Sequence, residues 1–251
     1  MSDIKEQIIN HRSIRNYQSK SIPDDVLHQI LEAGICASNT GNMQVYSMIV
    51  TKDETLRQQL WEVHFRQNMV LQAPALITFC ADINRFNKWC RARRAEPAYN
   101  NLLWFCNAAI DAALASQNVA LAAEAFGLGI CYLGTTTYNA GRIIEILQLP
   151  EGVVPVTTIV VGYPDGQPPL TGRLPLDAVV HSETYHDYTN EDIDRHYAAM
   201  EASEQTRQLL EINRKETLAQ VFTDNRYTKK DNEAASAAYF DAMKRQGFII
   251  C

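Results

Sequence analysis

The chain has 251 residues, 46% of them hydrophobic, which is enough for one large domain or two small ones with a sizeable core. Its formal net charge is −6, from 29 acidic and 23 basic residues, and this argues against nucleic-acid binding, for which a basic excess is usual. The six cysteines form no C-x-x-C pair and no metal-ligand cluster, which indicates free thiols in a reducing, cytoplasmic environment and no metal site.

Apolar periodicity gives the predicted elements in chain order. Helices are expected over residues 3–10, 24–37, 54–64, 102–126 and 140–149, and Pro23 opens the second of them. Strands are expected over residues 45–51, 75–81, 130–133 and 157–161, each a short and mainly apolar run. The alternation of strands with helices indicates an α/β or α+β fold.

Residues 102–126 form the longest apolar segment and are apolar on nearly every face. Asp111 and Glu124 are among the polar residues inside it, so it is a poor candidate for a membrane span. A helix that is apolar all round has to be buried. We therefore expect it to be the central core helix, a subunit interface, or both, in a protein that does not associate with membranes.

The chain changes character after about His181. Residues 191–221 and 229–246 are charged, helical in pattern and thinly apolar, which is more typical of an arm than of a second domain. We expect a domain over residues 1–185 and a helical C-terminal extension over residues 186–251. The pattern allows this extension to pack on the same subunit or on a partner subunit.

Residues 11–15, with the sequence HRSIR, form the first polar constellation. In an extended segment the side chains alternate, so His11, Ser13 and Arg15 would share one side while Ile14 faces the core. Such a strip suits an elongated anion with a phosphate at one end. The alternative is a solvated basic turn after a helix.

Three later segments are rich in hydrogen-bonding groups and glycine. Residues 38–44 (SNTGNMQ) form a polar loop that could hydrogen-bond to the polar edge of a heterocycle or simply connect a helix to a strand. Gly134 follows a short strand and would let backbone N–H groups approach a flat ring, although the spacing of its neighbouring glycines is not a dinucleotide-binding signature. Arg173, in an irregular loop, is either a phosphate partner or a surface arginine.

Taken together, these four segments resemble the FMN-dependent nitroreductase and flavin-reductase superfamily, in family order over about residues 1–185. The length and the tail are most similar to its larger, NADPH-preferring branch. The resemblance implies an α+β homodimer with a central, mostly antiparallel sheet flanked by helices. The long helix would lie in the dimer core, and two FMN molecules would sit at the subunit interface.

The resemblance also implies which residues hold FMN. His11, Ser13 and Arg15 would contact the phosphate, the ribityl chain and the pyrimidine edge, with Arg15 nearest the ring and Arg12 near the phosphate. Thr171 stands where the larger branch often has a lysine, so the phosphate site loses one cation. The other implied contacts are Ser38, Asn39, Thr40, Asn42 and Gln44 from the second subunit, Gln67, Leu133, Gly134 and Thr135 near the ring, and Arg173 at the phosphate.

The implied activity is a ping-pong cycle in which NADPH or NADH gives hydride to flavin N5 and a nitroaromatic, a quinone or free flavin takes the electrons. The cofactor carries this chemistry, so no side chain is expected to be an essential catalyst. The competing interpretation is a flavin store or sensor without turnover. Candidates for the 2′-phosphate of NADPH, or else members of a solvated charged face, are the tail cations Arg207, Arg214, Lys215, Arg226, Lys229 and Lys230.

Overall fold

The structure is a computed structural model that describes residues 4–249. The chain forms two compact units. The first comprises the residues up to Pro169 and those from Ala235 onward, and the second is Leu170–Ala234. The end of the chain thus returns to the first unit, whereas the sequence pattern grouped residues 186–251 as one extension.

The first unit contains the five helices and four strands that the periodicity predicts, together with three helices that it does not predict, over Met69–Gln72, Asn84–Ala92 and Thr135–Tyr138. Asp24 and Asp25 lie in the first turn of the second helix, where the helix dipole favours negative charge. The elements are α1 (Ile4–Ile9), α2 (Asp24–Ile35), β1 (Tyr46–Thr51), α3 (Glu54–Val63), α4 (Met69–Gln72), β2 (Ala75–Asp82), α5 (Asn84–Ala92), α6 (Leu102–Ala125), β3 (Gly129–Leu133), α7 (Thr135–Tyr138), α8 (Ala140–Ile146) and β4 (Val153–Gly162).

The four strands form one antiparallel sheet in the order β1-β2-β4-β3, so β3 is an edge strand. The fourth strand is longer than predicted, because it begins at Val153 and not at residue 157. Pro155 disfavours a strand assignment from sequence, since proline cannot donate to the ladder. The sheet accommodates it with a register shift, where Phe79 pairs with Thr157 and Cys80 pairs with Pro155.

Helix α6 packs one face against the sheet and leaves another exposed. Its buried face is made largely of small residues, including Ala112, Ala115 and Val119, which join the main core cluster. Leu103 and Ile110 on the opposite side are 65% and 55% exposed. The expectation of a helix buried all round is therefore met on only one side within a single chain.

The second unit contains short helices, and residues 191–221 are broken where the pattern predicted one continuous helical stretch. Ser203 caps a new helix by accepting from the Thr206 N–H, and Arg214 ends that helix in a left-handed conformation. None of the helices in residues 4–249 has the length and hydropathy needed to cross a membrane. The elements are α9 (Asn190–Glu201), α10 (Glu204–Asn213), α11 (Leu218–Gln220), a π-helical turn (Val221–Arg226) and α12 (Lys229–Arg245), which ends in the first unit.

Candidate functional site

The segment with sequence HRSIR runs extended along the free edge of β3. Ser13 forms a parallel bridge with Ile130, and the Ile14 N–H donates to the Ile130 carbonyl at 2.9 Å. Ile14 is buried in the core beneath, whereas Arg15 is exposed. Extended geometry therefore places the side chains on alternating sides, with the cation directed away from the core.

Gly129 is what allows this segment to lie so close to β3. A Cβ atom at position 129 would come within 2.8 Å of the Ile14 Cβ and 3.0 Å of the Pro164 Cγ. Any other residue would force the segment away from the strand. The glycine thus positions the HRSIR segment and with it the first half of the candidate site.

His11 and Arg12 border a cavity of about 350 Å³ in the first unit. His11 Nδ1 lies 2.5 Å from Glu124 Oε1 on α6, so the imidazole is held from one side. Arg12 donates from Nη1 to the Asn10 carbonyl at 2.9 Å, while its buried Nε has no partner among the described residues. A guanidinium group that borders a cavity is a donor suited to an anionic oxygen.

Arg15 and Ser13 lie close to a buried thiol and a buried phenol. Burial raises the pKa of Cys131, and the Arg15 charge and a hydrogen bond with Ser13 oppose that rise. Burial also raises the pKa of Tyr17, with Cys131 adding to the shift and Arg15 opposing it. Arg15 therefore places positive charge at the edge of β3, while the thiol and the phenol beneath it stay protonated at neutral pH.

The polar loop of residues 38–44 is anchored to the middle of α6. The Thr40 N–H and hydroxyl both donate to Asp111 Oδ1, at 2.8 and 3.0 Å, and Asp111 is 1% exposed. Gln44 Nε2 donates to Asn42 Oδ1 at 3.2 Å. The buried Asn39 Oδ1 has no partner within the described part of the chain, and Ser38 is exposed. The loop thus has a fixed base at Thr40, while Ser38 and Asn42 are exposed.

These two segments are separate within one chain. Helix α6 rises about 20 Å from Asp111, which holds Thr40, to Glu124, which holds His11. The structure therefore keeps the predicted FMN-binding residues of the first segment apart from those of the second.

A third group of predicted residues meets at the end of β3. Leu133 is buried, Gly134 is exposed, and a Cβ atom at position 134 would have no atom within 4 Å. Gln67 Nε2 lies 3.5 Å from Thr135 Oγ1, so the structure brings these two predicted residues together. The open space beside the Gly134 backbone is the room that a flat ring would need.

The two remaining predicted residues belong to the second unit. Arg173 donates from Nη1 to the carbonyls of Thr171 and Gly172, at 3.2 and 3.3 Å. Their contact with a phosphate stays a prediction.

Three polar residues that anchor the site were missed in the sequence: Glu124, Asp111 and His64. Their partners, His11, Thr40 and Thr135, lie 71 to 113 positions away, so no local spacing could reveal the pairs. The available signal for the two acidic residues was their position inside an otherwise apolar helix, because buried carboxylates need partners. His64 gave no signal.

The comparisons with known proteins assign the family. The sequence profile of the Nitroreductase family matches residues 8–163, which is more than half of the chain. The chain therefore belongs to the nitroreductase family, and the family predicted from the four motifs is confirmed. The predicted α+β class with a central antiparallel sheet is confirmed as well.

Three similar proteins illustrate the relationship. A relative from Bacillus subtilis (strain 168), "FMN reductase (NADPH)", is 33% identical over 198 residues, covering 78% of this chain and 79% of the relative. The solved structure of a candidate oxidoreductase from Bacteroides fragilis NCTC 9343 has a TM-score of 0.96 and 50% identity, covering 97% of this chain and 99% of that chain. The NfrA1 nitroreductase from B. subtilis has a TM-score of 0.87 and 28% identity, covering 98% of this chain and 99% of that chain.

Proposed function

We propose that the chain is an FMN-dependent NAD(P)H oxidoreductase that works as a homodimer. Membership of the nitroreductase family and the similarity to an NADPH-dependent FMN reductase support the enzyme class and the cofactor pair. The single observation that carries the assignment is the cationic segment along the edge of β3, where Arg15 is exposed and His11 and Arg12 border a cavity. The cytoplasmic location stays a prediction.

The residues at this edge fit the chemistry of FMN. The Arg12 and Arg15 guanidinium groups match a phosphate and the polar edge of a flavin, and the open face at Gly134 leaves room for a ring. His11, Arg12 and Ser13 would hold the phosphate and ribityl chain, and Gln67, Leu133, Gly134 and Thr135 would line the ring. The roles of Thr171 and Arg173, which belong to the second unit, stay predictions.

A second copy of the chain would complete the site. One chain keeps residues 38–44 about 20 Å along α6 from the HRSIR segment, and α6 exposes Leu103, Ile110 and Leu114. An apolar stripe of this kind on a central helix is typical of a surface covered by another subunit. In such a dimer Ser38, Asn39, Thr40, Asn42 and Gln44 of one subunit would approach the flavin bound by the other.

Bound FMN would supply hydride acceptance from NAD(P)H at N5 and electron delivery to a nitroaromatic, a quinone or free flavin in a ping-pong cycle. The chain itself contributes placement and charge. Arg15 would stabilise negative charge at the pyrimidine edge of the ring, which favours the reduced state.

The test is steady-state kinetics with a panel of acceptors. NADPH concentration is varied at several fixed concentrations of a nitroaromatic, a quinone and free FMN. We expect turnover and parallel double-reciprocal lines, because both substrates use one place in turn. Intersecting lines would contradict the ping-pong order. Flavin that stays bound without turnover by NADPH or NADH would instead support the store or sensor interpretation.

A further inference from the structure

His64 is a fully buried polar residue immediately after α3. Its Nδ1 lies 2.8 Å from Thr135 Oγ1. Thr135 begins α7 and directly follows Gly134, whose exposed backbone borders open space. The hydrogen bond therefore ties the end of α3 to the backbone proposed to lie against the flavin.

Further polar contacts stabilise the residues around His64 and link them to the segment that begins at Thr135. Gln67 Nε2 donates to the His64 carbonyl at 3.0 Å and approaches Thr135 Oγ1 at 3.5 Å. Asn139 Nδ2 donates to the Val63 carbonyl at 2.6 Å. The Thr135 hydroxyl thus lies between the imidazole of His64 and the amide of Gln67, which is itself assigned to the proposed FMN site.

The backbone between His64 and Gln67 is strained. Phe65 and Arg66 are consecutive non-glycine residues in the left-handed region, with φ of 56° and 55°. Such conformations cost free energy and persist only where the surroundings fix them. The Phe65 side chain is 60% exposed, so its burial does not offset the cost. Backbone hydrogen bonds close this turn, from the Arg66 N–H to the Trp61 carbonyl at 2.9 Å and from the Gln67 N–H to the His64 carbonyl at 3.3 Å, and the Gln67 side chain donates to the same His64 carbonyl.

The polar atoms of the His64 imidazole indicate that this side chain does more than fill space in the core. The buried Nε2 has no partner among the described residues, and an apolar side chain could fill the same volume without an unpaired polar atom. Burial lowers the pKa of His64 to about 4, so the ring is neutral at physiological pH. A neutral ring that donates from Nδ1 leaves the Thr135 hydroxyl proton free for another acceptor.

We propose that His64 is a positioning residue for the flavin. Through the Thr135 hydroxyl it fixes the backbone of Gly134 and Thr135, and through its own carbonyl it fixes the side chain of Gln67. This inference rests on the proposed function, because it concerns the same site. In this proposal His64 itself contacts neither the flavin nor the substrates.

Three substitutions test the role by FMN titration of the apoprotein and by the midpoint potential of the bound flavin. His64→Leu removes the bond, His64→Asn places an amide nitrogen near the position of Nδ1, and Thr135→Val removes the hydroxyl at nearly constant volume. We expect His64→Leu and Thr135→Val each to weaken FMN binding about tenfold and to shift the potential. His64→Asn should stay within about threefold of the unsubstituted protein.

The double variant separates positioning from general destabilisation. If both residues act through one bond, His64→Leu with Thr135→Val binds FMN no more weakly than either single variant. Additive losses, or a folded His64→Leu variant with unchanged affinity and potential, overturn the proposal. If His64→Leu does not fold, unchanged FMN affinity in Thr135→Val overturns it equally.

A matched control and the unsubstituted protein distinguish this inference from the proposed function. His28→Leu changes an exposed histidine on α2 and should leave FMN affinity unchanged, which excludes a general effect of losing an imidazole. An unsubstituted protein that binds no FMN refutes the proposed function itself. FMN binding that is normal in both the unsubstituted protein and His64→Leu refutes only the positioning role.

Discussion

Three polar side chains fix the candidate site at the scale of single residues. Glu124 holds His11, Asp111 holds Thr40 and His64 holds Thr135, so three of the four predicted segments each rest on one largely buried partner. A buried polar group costs free energy unless it is paired, so these pairs show where the geometry is enforced. Sequence motifs predicted the residues that would face the ligand. The side chains that hold them, Glu124, Asp111 and His64, could be identified only from the folded structure, because they lie far away in the sequence.

Arg15 is the residue expected to raise the reduction potential of the bound flavin. In Arg15→Ala, loss of the exposed cation should weaken FMN binding about tenfold and lower the flavin potential by about 30 mV, which corresponds to ~1.4 kcal/mol for a two-electron couple. Spectroelectrochemical titration measures the potential, and Arg15→Lys should recover part of it because the charge remains. Unchanged flavin content and potential in Arg15→Ala would refute the assignment.

The buried imidazole of His64 predicts a pH dependence of stability. Burial lowers its pKa from 6.5 to about 4, so between these values the unfolded chain binds a proton that the folded ring does not. The free energy of unfolding should therefore fall as the pH drops from 6.5 to about 4, by about 3 kcal/mol from this residue. Urea unfolding across this range should show a shallower loss for His64→Asn. Identical pH profiles for the two proteins would contradict this prediction.

At the scale of elements, local pattern predicted most of the first unit. The predicted strand 45–51 and helix 102–126 differ from β1 and α6 by a single residue at one end. The start of β4 was missed because Pro155 is tolerated there only through a register shift, which depends on the neighbouring strand. The breaks in the tail helices were missed because they depend on caps such as Ser203 and on the left-handed Arg214.

Gly129, the first residue of β3, and Gly134, the residue after β3, should respond differently to substitution by alanine. Gly129→Ala would bring a Cβ atom within 2.8 Å of the Ile14 Cβ, so we expect the apoprotein to lose about 1–3 kcal/mol of stability. Gly134→Ala meets no atom within 4 Å and should change apoprotein stability by less than about 0.5 kcal/mol.

FMN titration distinguishes the two glycine variants further. A methyl group at position 134 would occupy the space proposed for the flavin ring, so Gly134→Ala should weaken FMN binding about tenfold while urea unfolding of the apoprotein stays unchanged. Normal FMN affinity in Gly134→Ala would show that the ring lies elsewhere.

At the scale of the whole molecule, one chain supplies two incomplete halves of a site. The anchors of the halves lie about 20 Å apart on α6, and the same helix exposes an apolar stripe. Periodicity alone could not predict this arrangement, because an apolar helix has the same sequence pattern whether its own sheet or another subunit covers it; only the family resemblance implied it. The homodimer with shared sites follows as a proposal.

Charge on the exposed face of α6 should separate the subunits. The double variant Leu103→Asp and Ile110→Asp should sediment as a monomer and lose FMN affinity by more than about tenfold, because the second loop no longer reaches the flavin. Gln29→Asp introduces the same charge at an exposed polar position of α2 and serves as the control. A monomeric variant that binds FMN normally would contradict the shared site.

The most direct test of the central claim is an anaerobic titration of the FMN-loaded protein with NADPH, followed by the visible absorbance of the flavin. The absorbance should fall linearly to an end point at one NADPH per bound FMN and return when a quinone or nitroaromatic is added. Bound flavin that keeps its absorbance in excess NADPH and in excess NADH would contradict the assignment as an oxidoreductase.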